Sequence, residues 1–188
     1  LEADNLNLIS SSAIRLANLV NDILDISAIE ASKRTMLKEE MSVLDMTNRA
    51  VKSVQQKAWT AGLRITIDIP NDLPRLVADQ RSVLQILMNI LSNAVKFSKP
   101  GGKISISASS SNEAISIVIA DTGLGIDAET LPSVTEHFAQ SQSNRHLAEV
   151  GTGLGLSIVK SLMDAHGGSL QIESTIDIGT TVTLVFIR

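Results

Sequence analysis

The chain has 188 residues, of which 44% are hydrophobic and 2% aromatic, with a formal net charge of −4 and no cysteine. A packed core is therefore available and wholesale disorder is argued against, while the negative charge and the scarcity of rings argue against a nucleic-acid partner. The absence of cysteine removes disulfides, thiolate chemistry and cysteine-ligated zinc, and fits a reducing, cytoplasmic setting. No apolar run reaches the roughly 18–20 residues of a membrane span.

The first segment, about Asp4 to Ala31, is helical by period. Leu6, Ile9, Ala13, Leu16, Val20 and Ile23 recur in alternating steps of three and four. One helix cannot bury such a stripe alone. It reads as an arm of a helical bundle or homodimer, the alternative being a helix docked on its own domain. The polar stretch "EASKRTMLKEE" separates this arm, residues 1–34, from the domain expected over residues 35–188. The chain opens at Leu1, without Met and already in helical register, as expected of a piece of a longer protein.

From Thr35, "TMLKEEMSV" reads as a short strand and turn. Val43 to about Ala58 reads as a helix with Leu44, Ala50, Val51 and Val54 inward. "LRITIDIP" alternates with period two, a half-buried strand ended by Pro70. "ADQRSVLQILMNILSNAVKFS" is a helix with Asp79 as N-cap. "GGKISISAS" and "EAISIVIAD" form a hairpin across "SSN". Residues Leu131 to Val150 read as a mobile polar segment with one short helical piece. "GTGLGLSIVKSLMDAHGG" is a glycine turn opening a helix that Gly167 and Gly168 stop. "SLQIEST" and "GTTVTLVFI" close the chain as a second hairpin. The sum is a helical arm followed by an α+β fold, a two-layer sandwich of a mostly antiparallel sheet with helices on one face.

Three stretches carry chemistry. In the helix, Gln85, Asn89, Ser92, Asn93 and Lys96 share an arc of roughly 100°. Asparagine is a poor helix former, by about 0.5–0.7 kcal/mol per site, and a plain solvated face favours Glu, Lys, Arg and Ala. Two amides and a lysine fit a site instead: neutral oxygens suit Mg²⁺ and the ammonium suits phosphate. In "IVIADTGLGID" a strand ends in Asp121, whose carboxylate could accept from an exocyclic amine such as that of adenine. Gly123 and Gly125 then allow a tight turn. In "GTGLGLSIV", Gly151, Gly153 and Gly155 precede a helix whose N-terminal N–H groups favour phosphate. The spacing is neither the dinucleotide-binding fingerprint nor a P-loop.

Taken in order, the asparagine helix ending "NAVKF", the D-x-G-x-G turn, a polar segment, "GTGLGL" and the closing glycine hairpin resemble the ATP-binding domain of sensor histidine kinases. That domain lies in the superfamily that includes gyrase and a heat-shock chaperone. "LANLVNDILDISAIEASKRTMLKEE" resembles the second helix of the histidine-kinase dimerisation hairpin and its linker. The resemblance implies that Asn89 and Asn93 hold Mg²⁺ on the ATP phosphates, that Lys96 contacts phosphate and that Phe97 lines the adenine pocket. It implies that Asp121 accepts from the adenine amine, with Gly123, Gly125 and Ile126 beside it and Thr180 near the base. Gly151, Thr152, Gly153, Leu154, Gly155 and Leu156 would surround the phosphates. Residues Asp127 to Val150 would form the ATP lid, anchored by Phe138. The implied activity is that of a protein-histidine kinase: ATP donates its γ-phosphoryl group to a histidine, and a response-regulator receiver domain takes it onward.

The sequence departs from the family pattern in three ways. No histidine stands in an H-E-x-x-T-P type motif, so the phosphoacceptor and its neighbouring base belong to a helix outside this chain. His166 reads as a helix-end residue, and His137 and His146 as surface residues of the lid. The lid is degenerate: "VTEHF" stands where F-E-P-F is common, with Thr135 and His137 at the altered places. Leu147 stands where a basic residue is frequent and Val150 where glycine is, and Arg145 could replace the lost charge. The alternative function is therefore a pseudokinase or signalling scaffold that regulates partners without phosphotransfer. Another ATPase of the superfamily is a further reading, which the arm argues against.

Overall fold

The computed structural model describes residues 36–136 and 153–188, together with Ala13, Leu16 and Val20. The chain divides into two compact units, Leu1–Thr35 and Met36–Arg188. In the first, Ala13, Leu16 and Val20 are helical and exposed, Leu16 by 63%. The rest of the expected seam lies outside the described residues.

The second unit is built on five strands in the order β2 (Arg64–Asp68), β4 (Lys103–Ser110), β5 (Ala114–Asp121), β7 (Gly179–Ile187) and β6 (Ser169–Thr175). Alternation explains it. Ile104, Ile106 and Ala108 of β4, Ile115, Ile117 and Ile119 of β5, and Val182, Leu184 and Phe186 of β7 are all buried. They fall into cross-strand rows, Ile106–Ile119–Val182 and Ala108–Ile117–Leu184. Each large side chain so buried contributes about 1.5–3 kcal/mol. Intervening positions carry Ser, Thr, Ala and Val.

Among the described residues of this unit, three α-helices follow from capping and periodicity: α1 (Val43–Thr60), α2 (Gln80–Phe97) and α3 (Gly155–Ala165). Ser42 caps α1 by accepting from the Asp45 N–H at 3.2 Å. Asp79 caps α2 as expected, its Oδ1 accepting from the Ser82 N–H at 2.8 Å. The buried face of α1 differs from expectation: Val43, Met46, Thr47, Ala50, Val54 and Ala58 are buried, while Leu44 and Val51 are only half-buried. This face packs on α2, and the small side chains of Ala50 and Ala58 permit close approach.

Two further features were not anticipated. Leu76–Asp79 is a strand, β3, pairing antiparallel with β1 (Lys38–Met41) as a separate two-stranded sheet. β2 pairs with β4 in parallel, because the chain between them crosses over through β3 and α2. The short helical piece expected after Leu131 is a 3₁₀ turn, Leu131–Ser133. No helix among the described residues is long and apolar enough to cross a membrane.

His166 ends α3, as expected, and also ties elements together. Its Nε2 accepts from the Asp79 N–H at 3.1 Å. Its Nδ1 lies 2.7 Å from the Leu162 carbonyl. One tautomer satisfies both bonds, with Nδ1 donating. Its ring meets Phe186 edge to face, 5.8 Å between centroids. The end of α3 is thereby held to the start of α2 and to β7.

Candidate functional site

The site forms where the C-terminal half of α2, the start of α3 and one end of the sheet converge. Asn89 and Asn93 are one turn apart on α2 and half-buried. They face the first residue of α3: a Cβ placed on Gly155 would lie 3.8 Å from Asn93 Nδ2 and 3.9 Å from Asn89 Oδ1. Asn89 Nδ2 is buried and has no hydrogen-bond partner among the described residues. A buried amide without a partner costs about 1–3 kcal/mol, and an anionic ligand at the helix start would supply one.

Leu154 carries no capping side chain, and the first intrahelical bond of α3 runs from the Ile158 N–H to the Leu154 carbonyl at 3.0 Å. The N–H groups of Gly155, Leu156 and Ser157 precede that bond at the positive end of the helix dipole. Leu154 is buried and Leu156 half-buried. Gly153 has φ of 73° and sets the entry to the helix.

Lys96 and Phe97 end α2, with the Lys96 ammonium 4.3 Å from the Phe97 ring centroid. Burial pushes the Lys96 ammonium below the ordinary lysine range. The Phe97 carbonyl accepts from the Leu124 N–H at 3.0 Å, and Ser98 bridges to Gly123, so the end of α2 is stitched to the glycine turn.

Asp121 is the last residue of β5, and its Oδ1 accepts from the Gly123 N–H at 2.8 Å. Burial raises its carboxyl above the ordinary aspartate range, against the opposing pull of backbone hydrogen bonds from Gly123 and Thr180. Gly125, at φ of 69°, packs so closely on the Thr175 carbonyl that no side chain fits. Gly179 does the same against the Asp121 carbonyl. Asp121, Thr180 and Ser174 form one cross-strand row at the end of β5, β7 and β6. The row continues the inward-facing side of the sheet.

The structure thus brings together Asn89, Asn93, Gly155 and Leu156 at one wall, and Asp121, Gly123, Gly125, Ile126 and Thr180 at another, with Lys96 and Phe97 at the end of α2. Thr135 follows the 3₁₀ turn and is half-buried. Phe138, Gly151 and Thr152, and the lid positions His137, Arg145, His146, Leu147 and Val150, lie outside the described residues. Among the described residues no cluster of three or more His, Cys, Asp or Glu side chains could hold a metal ion.

Residues 78–188 match the family described as histidine kinase-, DNA gyrase B- and HSP90-like ATPase. The chain belongs to that family. Two curated relatives come from Caulobacter vibrioides. The non-motile and phage-resistance protein is 41% identical over 179 residues, covering 93% of this chain and 21% of that protein. The histidine protein kinase DivJ is 35% identical over 182 residues, covering 97% of this chain and 30% of that protein. The chain therefore spans about a third or less of the curated relatives it matches. Full-length ShkA in complex with AMPPNP superposes with a TM-score of 0.85 at 25% identity, covering 98% of this chain and 38% of that one. Within the family this is a histidine-kinase catalytic ATPase domain of the kind found in signalling kinases.

Some residues of this ATPase domain escaped sequence reasoning. Lys99 Nζ donates to Asp177 Oδ1 at 2.9 Å and to its carbonyl at 3.1 Å. The Asp177 N–H donates to the Leu124 carbonyl at 2.8 Å, with Asp177 at φ of 63°. The β6–β7 turn is thus clasped to the Asp121 turn. Ser174 bonds Ile126, Gly179 and Thr180. One signal was available for it: in "SLQIEST" the inward positions read Leu170, Ile172, then Ser174, a hydroxyl where alternation calls for an aliphatic side chain.

Proposed function

We propose that this chain is the nucleotide-binding core of a sensor histidine kinase, in which residues 35–188 bind Mg-ATP and residues 1–34 are the second helix of a dimerisation hairpin. The observation that carries this reading is the approach of Asn89 and Asn93 to the first residue of α3 within 4 Å of an added Cβ. It sets two amides against the N–H groups of a helix start. Amide oxygens from Asn89 and Asn93, completed by phosphate oxygens and water, suit a hard divalent cation without a carboxylate cluster. The orphaned Asn89 Nδ2 fits the same ligand. When bound, Mg²⁺ would neutralise charge on the phosphates.

The chain's own residues then have separable roles. Lys96 offers a point charge to phosphate. The start of α3 offers backbone N–H groups and the helix dipole. Asp121 accepts from the amine of adenine, while Phe97 lines the ring. Positioning and charge neutralisation would supply most of the catalysis of phosphoryl transfer. The γ-phosphoryl group goes to a histidine outside this chain, then to the receiver domain of a response regulator, in the cytoplasm.

A longer polypeptide that also carries a histidine-bearing hairpin helix tests the activity. Incubation with γ-labelled ATP and Mg²⁺ is expected to give phosphohistidine that a receiver domain discharges. ATP binding without phosphohistidine would replace kinase by scaffold.

A further inference from the structure

Ser174 stands at a proton crossroads on the edge of the base-binding end of the sheet. Its Oγ accepts from the Ile126 N–H at 2.8 Å. It donates to the Gly179 carbonyl at 3.0 Å. It lies 2.8 Å from Thr180 Oγ1. A serine hydroxyl holds one proton and two lone pairs. With the proton on the Gly179 carbonyl and one lone pair on Ile126, the remaining lone pair faces Thr180. The Thr180 hydroxyl must then spend its own proton on Ser174, leaving only acceptor lone pairs toward the site. Thr180 is directly opposite Asp121 across the β5–β7 pair. An ionised Asp121 is likewise an acceptor.

We infer that Ser174 is a positioning residue for base specificity: by consuming the Thr180 proton it makes the base-binding edge accept hydrogen bonds only. The inference rests on the nucleotide reading above and deepens it. Two acceptors suit a purine with an exocyclic amine at position 6, which brings two N–H donors. They disfavour a purine with a carbonyl oxygen there, because even with its ring N–H satisfied an acceptor is left facing that oxygen. Without Ser174 the Thr180 hydroxyl rotates, can donate, and no longer discriminates. The sequence of β6 carries the same message, since an inward-facing serine that makes three hydrogen bonds stands where an aliphatic residue would pack.

ADP and IDP differ in this amine-to-carbonyl exchange and its companion proton on the ring, so their affinities read the polarity of the edge. Isothermal titration of the 188-residue chain with each nucleotide, with Ser174→Ala and Ser174→Thr alongside, tests the inference. The wild-type chain should prefer ADP. In Ser174→Ala the IDP-to-ADP ratio of dissociation constants should fall about five- to tenfold, while Ser174→Thr, which keeps the hydroxyl, should restore it. A merely structural role would weaken both nucleotides together and leave the ratio unchanged, which overturns the inference. A wild-type chain that binds ADP and IDP equally also overturns it. A chain that binds neither removes the nucleotide reading itself. Should Ser174→Ala not fold, the wild-type protein answers by NMR: a protected Thr180 hydroxyl proton close to Ser174 and to the Ile126 amide is expected, and a Ser174 hydroxyl proton aimed at Thr180 is the contrary result.

Discussion

Lys96 and Asp121 carry the electrostatics of the site, and both are displaced by burial in the direction that disfavours charge. For Lys96 the sign is direct. A lowered lysine loses its proton at lower pH than an ordinary one, so its attraction for phosphate is present below that point and lost as pH rises through it. ATP affinity should therefore decline on the alkaline side at a lower pH than a free lysine would dictate. Lys96→Arg should move that decline out of range, since guanidinium stays charged; titrations from neutral pH upward would show it. For Asp121, a raised carboxyl means that the folded state favours the protonated form, so holding the charge at neutral pH destabilises the fold. Asp121→Asn should raise the melting temperature of the nucleotide-free chain while weakening ATP binding about 10- to 100-fold, the loss of a charge-assisted bond. Calorimetry and nucleotide titration on the same variant read the two effects.

Among the elements, the end of α3 holds the site from its far side. His166 satisfies the Asp79 N–H and meets Phe186 by its edge. His166→Ala should cost about 2 kcal/mol in chemical denaturation, from one orphaned N–H and a lost aromatic contact; a change under about 0.5 kcal/mol would remove this clasp from the account. Elements with strict alternation and glycine boundaries were legible: β6 and β7 run over the residues expected, and α2 starts at its aspartate cap. β3 was not legible, because four residues show no clear period and Asp79 serves both as the end of the strand and as the cap. On the inward face of α1, Ala50 and Val54 are buried as expected, whereas packing on α2 selects Met46, Thr47 and Ala58 in place of Leu44 and Val51. The parallel β2–β4 pairing is a tertiary fact, with no local signal in either strand.

At the scale of the molecule, the residues of the site are distant in sequence and adjacent in space. Asn89 and Gly155 meet through helix packing, and Asp121, Thr180 and Ser174 through strand register. Motif chemistry singled out Asn89, Gly155 and Asp121 in the sequence, and the family resemblance added Thr180. Ser174 was not legible, because its hydrogen bonds to Ile126, Gly179 and Thr180 form only once the loop after β5 and the β6–β7 pair come together. The proposed function stands or falls on whether the asparagine wall of α2 binds the metal–phosphate end of a nucleotide. ATP titration of the 188-residue chain with and without Mg²⁺, repeated on Asn93→Ala, tests it most directly. Binding should strengthen with Mg²⁺, and Asn93→Ala should lose both most of the affinity, about tenfold or more, and most of the Mg²⁺ dependence. Binding that is indifferent to Mg²⁺ and to Asn93 would contradict it.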